Sequence, residues 1–308
     1  MKLIMLGTGN ALVTECYNTC FVIEDQGQYM LVDGGGGNGL LRQLKRAGLD
    51  WKKMQHIFVT HKHLDHIMGI VWMIRMITQY INQDDYEGDA YIYGHDEVIG
   101  LLEDMAEKLL KPKQTKLIGK RLHLVTLSDG EEFEAIGHKF QAFDIRSTKA
   151  KQFGFTMYYG GNPVDGKCGC GDENTASVSS SSALKSAVCS DENTVSVSSS
   201  SSEHKLTCCG DEPYQECEEQ YAKSSDWLLH EAFCLSSQAD VFHPYEKHHS
   251  TVKDASLLAE KLGVRNLVLY HTEDRNLASR KSLYGEEGRK YYSGTLYIPD
   301  DLEVIGLA

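Results

Sequence analysis

The chain has 308 residues, of which 41% are hydrophobic, and a formal net charge of −13. This length can support one large core, and the negative charge excludes a protein that binds polyanions over its whole surface. No apolar run reaches the roughly 18 residues that a membrane helix requires, and nine cysteines, an odd number, favour reduced thiols. We therefore expect a cytoplasmic protein without a membrane partner, built as a single domain over residues 1–308.

The first third of the chain alternates short β-type runs with glycine-rich breaks. Strands are predicted at residues 2–6, 17–24 and 29–33, with tight turns between them. A helix pattern that contains Leu44 then ends at Gly48, and an apolar strand follows at 56–60. These elements form one βαβ-type unit.

Helices and strands continue to alternate in the rest of the chain. Residues 67–81 are apolar on almost all sides, which predicts a helix packed deep in the fold. The later pattern predicts a strand at 90–93, a helix at 97–110, several strands within 122–159, and a final helix and strand at 251–262 and 266–270. The alternation predicts a layered α/β class.

Residues 162–204 interrupt this pattern because serine dominates and large apolar residues are few. The stretch CGDENTASVSSSS is nearly repeated as CSDENTVSVSSSS, which indicates a short tandem duplication. Such a segment cannot bury enough surface to offset its ordering entropy, so a disordered low-complexity insertion is predicted.

The strongest chemical signal is the run T-H-K-H-L-D-H at positions 60–66, directly after the apolar strand. Two imidazoles spaced by one residue can converge on one ion, while the following Asp and His reach a neighbouring ion. A chance group of solvated histidines is the alternative, and the preceding strand and following apolar helix argue against it.

At this point the sequence resembles the metallo-β-lactamase superfamily, and more narrowly its ribonuclease Z branch, outside the serine-rich segment. Besides HxHxDH, the resemblance rests on motifs in the family's order: GTGNA, VDGGGG, the GD of Asp211, HEA around Glu231, HST beginning at His249, and the lone His271. The resemblance implies a four-layered αβ/βα sandwich.

The resemblance also implies roles for individual residues. His61 and His63 would bind one divalent ion, Asp65, His66 and His271 a second, and Asp211 would bridge both. Zinc is the first expectation for both ions, with manganese or iron as alternatives. Asp65 would also orient or deprotonate a water, while Glu231 and His249 would deliver a proton to the leaving oxygen.

One position departs from the family pattern. The family carries a third histidine before an aromatic-Gly-aromatic strand, and Arg146 stands there in this chain. Guanidinium has no lone pair for a metal. Three readings follow: a weak or empty first site with low activity, a substrate-binding role of Arg146 toward phosphate, or a closer approach of His138.

The most favoured function is a ribonuclease Z-like endonuclease that acts on the 3′ ends of precursor tRNA, as a homodimer by resemblance. The family's basic RNA-holding arm has no counterpart in the serine-rich segment, although a basic run at 108–121 offers one patch for phosphates. A hydrolase of small cyclic or nucleotide phosphodiesters is therefore the first alternative. A catalytically impaired metal-binding homologue, suggested by Arg146, is the second.

Overall fold

The computed structural model describes residues 1–160 and 203–307. The insertion predicted at 162–204 thus falls almost entirely outside the described residues. Its last position, His204, is the first residue of a strand, so the regular fold resumes slightly earlier than expected.

Two seven-stranded sheets organise the described part of the chain. The first contains β1 (Lys2–Gly7), β2 (Cys20–Asp25), β3 (Gln28–Val32), β4 (His56–Phe58), β5 (Ala90–Gly94), β6 (Leu122–Thr126) and, from near the chain end, β14 (Val304–Gly306). The strand order is β14-β1-β2-β3-β4-β5-β6, and β3 to β6 run parallel.

The second sheet consists of β7 (Glu132–Ala135), β8 (His138–Asp144), β9 (Phe153–Tyr159), β10 (His204–Cys208), β11 (Trp227–Glu231), β12 (Asn266–Tyr270) and β13 (Thr295–Tyr297). Its order is β13-β12-β11-β10-β9-β8-β7, with β10 to β13 parallel and β7 to β10 antiparallel. The carboxyl ends of parallel strands in both sheets can therefore supply loops to a common site.

The α-helices are α1 (Gly39–Arg46), α2 (Leu64–Ile81), α3 (Asp96–Leu109), α4 (Pro112–Thr115), α5 (Glu219–Ala222), α6 (Ala239–Phe242), α7 (Val252–Leu262) and α8 (Arg280–Gly288). One apolar cluster joins α1 to α3 to the first sheet, and another joins α7 and α8 to the second. A third cluster contains residues of both sheets, among them Leu3, Phe155 and Val268. The predicted four-layered αβ/βα sandwich is confirmed.

Two close approaches fix the helix that begins at the HxHxDH run. A Cβ added to Gly69 of α2 would lie 1.9 Å from the Gly34 carbonyl oxygen, so only glycine permits this contact. The backbone N–H of Gly34 also donates to the His66 carbonyl at 2.8 Å. The glycine-rich turn after β3 therefore sets the position of the first turn of α2.

Three elements near the chain end were not predicted from the sequence. Strands β13 and β14 have three residues each, which is too short for a period-2 pattern to appear. Helix α8 contains two glycines and buries Arg280, so its pattern is weak. None of the helices in the described ranges is long and apolar enough to span a membrane.

Candidate metal centre

The HxHxDH run spans the end of the loop between β4 and α2 and the first turn of α2. His63 is the N-cap residue of α2, and Asp65 lies in the first helical turn. His61 is fully buried, and its Nε2 lies 2.8 Å from Nδ1 of His63. The loop thus brings ligand-type nitrogens together where the strand ends, as the sequence predicted.

Asp211 lies at the centre of the cluster. Its Oδ2 is 3.6 Å from Nε2 of His61, 3.3 Å from Nε2 of His66 and 3.4 Å from Nε2 of His271. Two donors that each lie about 2.1 Å from one tetrahedral ion are about 3.4 Å apart, which is longer than a hydrogen bond. The separations around Asp211 therefore match those of donors that share an ion.

The potential ligands divide into two groups. Within each group, one donor atom per residue lies within 4.8 Å of the others: His61, His63 and Asp211 form one, and Asp65, His66 and His271 form the other. Asp211 also approaches His66 and His271 of the second group. The structure thus places all six predicted ligand residues together.

In three of the imidazoles, Nδ1 faces away from the cluster and contacts a polar side chain. A metal site needs such contacts, because they hold the ring with Nε2 toward the ion. Nδ1 of His66 lies 2.7 Å from Oδ2 of Asp33, that of His61 3.0 Å from Thr60 Oγ1, and that of His271 3.2 Å from Thr19 Oγ1. These contacts orient each ring so that Nε2 points into the cluster. Nε2 of His66 is buried without a hydrogen-bond partner, as expected of a metal-ligand nitrogen.

Two supporting residues were missed at the sequence level. Asp33 accepts hydrogen bonds from the backbone N–H and the hydroxyl of Thr60, at 2.8 and 2.7 Å. Because Asp33 also contacts His66, it links Thr60, which precedes the HxHxDH run, to the first turn of α2. Buried Gln152 donates to Oδ1 of Asp211 at 2.8 Å. The Asp of the VDGGGG run could have indicated Asp33, whereas nothing in the sequence around Gln152 distinguishes that residue.

The charges in the cluster act strongly on one another. Burial lowers the pKa of His66, but Asp65, Asp33 and Asp211 outweigh it and raise that pKa well above its usual value. Burial raises the pKa of Asp211, yet the surrounding histidines hold it well below the usual range. Asp211 is therefore an ionised carboxylate, the form that ligates a cation.

Glu231 and His249 form a second buried pair beside the cluster. Oε1 of Glu231 accepts from the Ser250 N–H, while Oε2 lies 3.7 Å from Nδ1 of His249, and neither of these last two atoms has a hydrogen-bond partner. Burial raises the pKa of Glu231 well above its usual value and lowers that of His249 to about 3. The rings of His249 and His271 are 5.2 Å apart, so the pair adjoins the metal ligands.

Arg146 lies at the surface of the structure. Its guanidinium is 62% exposed and bonds to Asp129 at 2.8 Å. His138 does not replace the missing ligand, because its Nε2 is bound to Asp25 at 2.9 Å. The first group therefore has three protein donors, the number that catalytic zinc sites provide beside an open position.

A cleft of about 400 Å³ opens onto the cluster. Asp65, Asp211, His249 and His271 line it, and so do residues that sequence reasoning did not single out: Asn10, Ala11, Leu12, Leu64, Lys149, Phe233 and Lys247. Its volume is within the range of small-molecule sites.

The chain is similar to several known proteins. Residues 1–165 match the protein family described as anti-Pycsar protein Apyc1. A ribonuclease Z of Thermococcus sibiricus is 24% identical over 324 aligned residues, which cover 100% of this chain and 96% of the relative.

Solved structures with the same fold include YhfI of Bacillus subtilis, a metallo-β-lactamase fold protein, with a TM-score of 0.67, 15% identity and coverage of 99% of this chain and 98% of the other. The short form of human tRNase Z has a TM-score of 0.65 and 19% identity, and both chains are covered over 100% of their length. The chain has a metallo-β-lactamase fold.

Proposed function

The chain belongs to the family described as anti-Pycsar protein Apyc1, and we propose that it hydrolyses small cyclic or nucleotide phosphodiesters at a binuclear metal centre. It is a metal-dependent hydrolase that acts on phosphodiester bonds. The observation that carries the proposal is the carboxylate of Asp211, which lines a cleft of about 400 Å³ and lies close to histidines of both ligand groups.

We assign the ligands as the geometry groups them. His61 and His63 would hold one ion, Asp65, His66 and His271 the other, and Asp211 would contact both. When bound, divalent cations lower the pKa of water and neutralise the charge that develops on a phosphate. Asp65 also lines the cleft, where its carboxylate would accept a proton from the attacking water.

The Glu231 and His249 pair would protonate the leaving oxygen. Burial raises the pKa of Glu231 well above its usual value and lowers that of His249 to about 3, which favours a protonated carboxyl beside a neutral imidazole. Oε2 of Glu231 and Nδ1 of His249 are 3.7 Å apart, so they would have to approach to hydrogen-bond distance before a proton on Oε2 could pass to the ring as the ring gives its own proton to the alkoxide. The buried pair avoids a permanent charge next to the cations.

The surface favours a small substrate over a long RNA. In the basic run at 108–121, Lys108 is paired with Asp104 and Arg121 with Asp89, each at 2.9 Å, so part of the positive charge is neutralised. The net charge of −13 opposes a polyanion further. A cleft of about 400 Å³ accommodates one nucleotide unit.

A leaving-group comparison tests the proposal. Zinc- or manganese-loaded protein should cleave both a cyclic nucleoside monophosphate and bis-p-nitrophenyl phosphate. His249→Asn should lower kcat on the cyclic nucleotide by about 10²-fold or more, but much less on the nitrophenyl ester, because nitrophenolate leaves without a proton. No turnover of either small ester by the metal-loaded wild type would refute the proposal.

A tRNA 3′-processing endonuclease is the second candidate. The relatives named ribonuclease Z support it, since the match to the Thermococcus sibiricus protein spans the whole chain. Cleavage of precursor tRNA without cleavage of a cyclic nucleotide would favour this function. A catalytically impaired homologue, the third reading, would bind metal without cutting any of these substrates.

A further inference from the structure

Arg280 is a buried cation to which the proposed chemistry assigns no role. It is the first residue of α8, and its side chain is 0% exposed. The carboxylate that pairs with it, Asp300, is 52% exposed and lies 3.2 Å away. A buried guanidinium is costly unless acceptors satisfy its N–H groups. The acceptors around Arg280 therefore indicate what the residue does.

The two terminal nitrogens of Arg280 face different segments of the chain. Nη2 donates to the Pro299 carbonyl at 2.8 Å and to Asp300, both in the segment before β14. Nη1 donates to the hydroxyls of Thr8 and Thr272, at 3.1 and 2.6 Å. Thr8 belongs to the GTGNA run, and Thr272 directly follows a predicted metal ligand. One side of the guanidinium thus holds two segments that meet at the metal site.

Only an arginine can make this set of contacts. The Thr8 hydroxyl donates to Oδ1 of Asp301 at 2.9 Å, so its oxygen is left to accept from Arg280. Guanidinium has N–H donors and no acceptor, and its planar fork reaches both threonines and both acceptors on the other side. A lysine would keep the charge but could not reach all four acceptors.

The backbone of His271 needs support of this kind. Its φ is 58°, a left-handed conformation that a residue other than glycine adopts at a cost. The next residue is held on both sides: the Thr272 N–H donates to the Thr8 carbonyl, and the Thr272 carbonyl accepts from the Asn10 N–H, each at 3.0 Å. Nη1 of Arg280 then joins the hydroxyls of the same two threonines. Arg280 therefore completes the network that follows the strained residue.

This backbone directs the ring of His271 into the ligand cluster. The Thr19 hydroxyl donates to the Gly9 carbonyl at 3.0 Å, so its oxygen accepts from Nδ1 of His271, 3.2 Å away. Nε2 is then the nitrogen without a proton, and it lies 3.4 Å from Oδ2 of Asp211. Gly9 forms a β-bridge with Thr272. A shift of Thr272 would thus move the imidazole and also the contact that fixes its proton.

We propose that Arg280 is a positioning residue for the metal ligand His271 and acts through the hydroxyls of Thr272 and Thr8. This inference rests on the proposed metal centre and goes beyond it, because Arg280 is not a potential ligand and does not line the cleft. Without the guanidinium, the backbone after His271 relaxes toward the ordinary φ range and turns the imidazole away from its ion. The ion of the group that contains His271 then binds more weakly, while the other ion keeps its ligands.

Competition titration with zinc and a chromophoric chelator tests this role without any turnover. Arg280→Met should weaken the ion of the group that contains His271 by about tenfold or more, the effect that a lost supporting contact has on a metal site. Arg280→Lys should give an intermediate loss. Thr272→Val, which removes one hydroxyl and keeps the shape of the side chain, should weaken the same ion, whereas Thr272→Ser should bind zinc as the wild type does.

A double-mutant cycle separates positioning from a general loss of stability. In a His271→Ala background the same ion is left with Asp65, His66 and Asp211. Arg280→Met should have no further effect on zinc affinity there, because the ring through which it acts is gone. A general destabilisation would instead weaken zinc by the same factor in both backgrounds.

Matched controls come from similar contacts elsewhere. Asp300→Asn removes the charge that pairs with Nη2 of Arg280 and leaves both Nη1 contacts in place. Arg121→Met removes a guanidinium that binds Asp89 and the Gly88 carbonyl, outside both ligand groups. Both variants should bind zinc as the wild type does, even where the melting temperature falls.

The outcomes distinguish this inference from the proposed function. Wild-type affinity for both ions in folded Arg280→Met would overturn the positioning role, and so would equal factors in the two backgrounds of the cycle. If Arg280→Met does not fold, Thr272→Val carries the test, and unchanged zinc affinity in that variant would overturn the role. The predicted pattern of zinc affinities would support it even if the wild type cut no phosphodiester, a result that would refute the proposed function alone.

Discussion

Asp33→Asn tests whether the structure orients a metal ligand through a residue that is not itself a ligand. Oδ2 of Asp33 accepts from the Thr60 hydroxyl and lies 2.7 Å from Nδ1 of His66. An ionised carboxylate can only accept, so it holds the proton of His66 on Nδ1 and leaves Nε2 free for a metal. Asparagine is nearly isosteric and tolerates the positive φ of 57° at this position.

The substitution should change the tautomer of His66. The backbone N–H of Thr60 holds the amide oxygen at the Oδ1 position, so the NH₂ group faces Nδ1 of His66 and donates to it. The imidazole proton then moves to Nε2 and blocks the metal. Loss of such a supporting carboxylate weakens metal binding by about 10- to 100-fold, or about 1.4 to 2.7 kcal/mol.

The assay is a competition titration of zinc against a chromophoric chelator, with circular dichroism to verify folding. The matched control is Asp25→Asn, because Asp25 forms the same kind of contact with His138, at 2.9 Å and outside both ligand groups. Asp33→Asn should release the ion of the Asp65, His66 and His271 group first, while Asp25→Asn should retain both ions. Unchanged zinc affinity in a folded Asp33→Asn protein would refute the reasoning.

Three further predictions concern other parts of the molecule. Arg146→His should strengthen zinc binding at the group of His61, His63 and Asp211 by about tenfold, because it restores a nitrogen donor at the position of the family's third histidine. An unchanged zinc titration would show that a side chain at position 146 does not reach this ion. Burial raises the pKa of Glu218 from 4.5 to about 8, so the unfolded chain loses this proton at lower pH than the folded chain. The free energy of unfolding should then fall between pH 4.5 and 8, by up to about 5 kcal/mol from this group, and urea titrations should find that Glu218→Gln lessens the fall whereas exposed Glu216→Gln does not. Gly69→Ala should reduce soluble protein severely, since its Cβ would lie 1.9 Å from the Gly34 oxygen, and a wild-type melting temperature would contradict the close approach.

Local sequence patterns predicted the fold and the ligands to different extents. Strong periodicity predicted α2 and β12 well, the latter with its observed bounds, Asn266–Tyr270. The HxHxDH ligands are close in sequence, so their spacing alone indicates a metal site. Asp211 could be distinguished from the Asp of the repeated copies because a strand precedes it and a compact helix separates it from the HEA strand, and β10 is the preceding strand.

The remaining parts of the site depend on contacts between segments far apart in the chain. Gln152 becomes important only because it reaches Asp211, 59 residues away. Lys149 and Lys247 have no motif around them, and only the folded chain places both on the metal cleft. Arg146 was expected to be unsuitable as a metal ligand, but the sequence could not show that its guanidinium binds Asp129.

Metal analysis of the purified protein tests the binuclear centre most directly. Atomic absorption after equilibration with zinc should find close to two ions per folded chain, and Asp211→Asn should weaken both, because Oδ2 of Asp211 adjoins histidines of both ligand groups. A folded wild-type chain that retains no zinc, or an Asp211→Asn variant that retains both ions with wild-type affinity, would contradict the account.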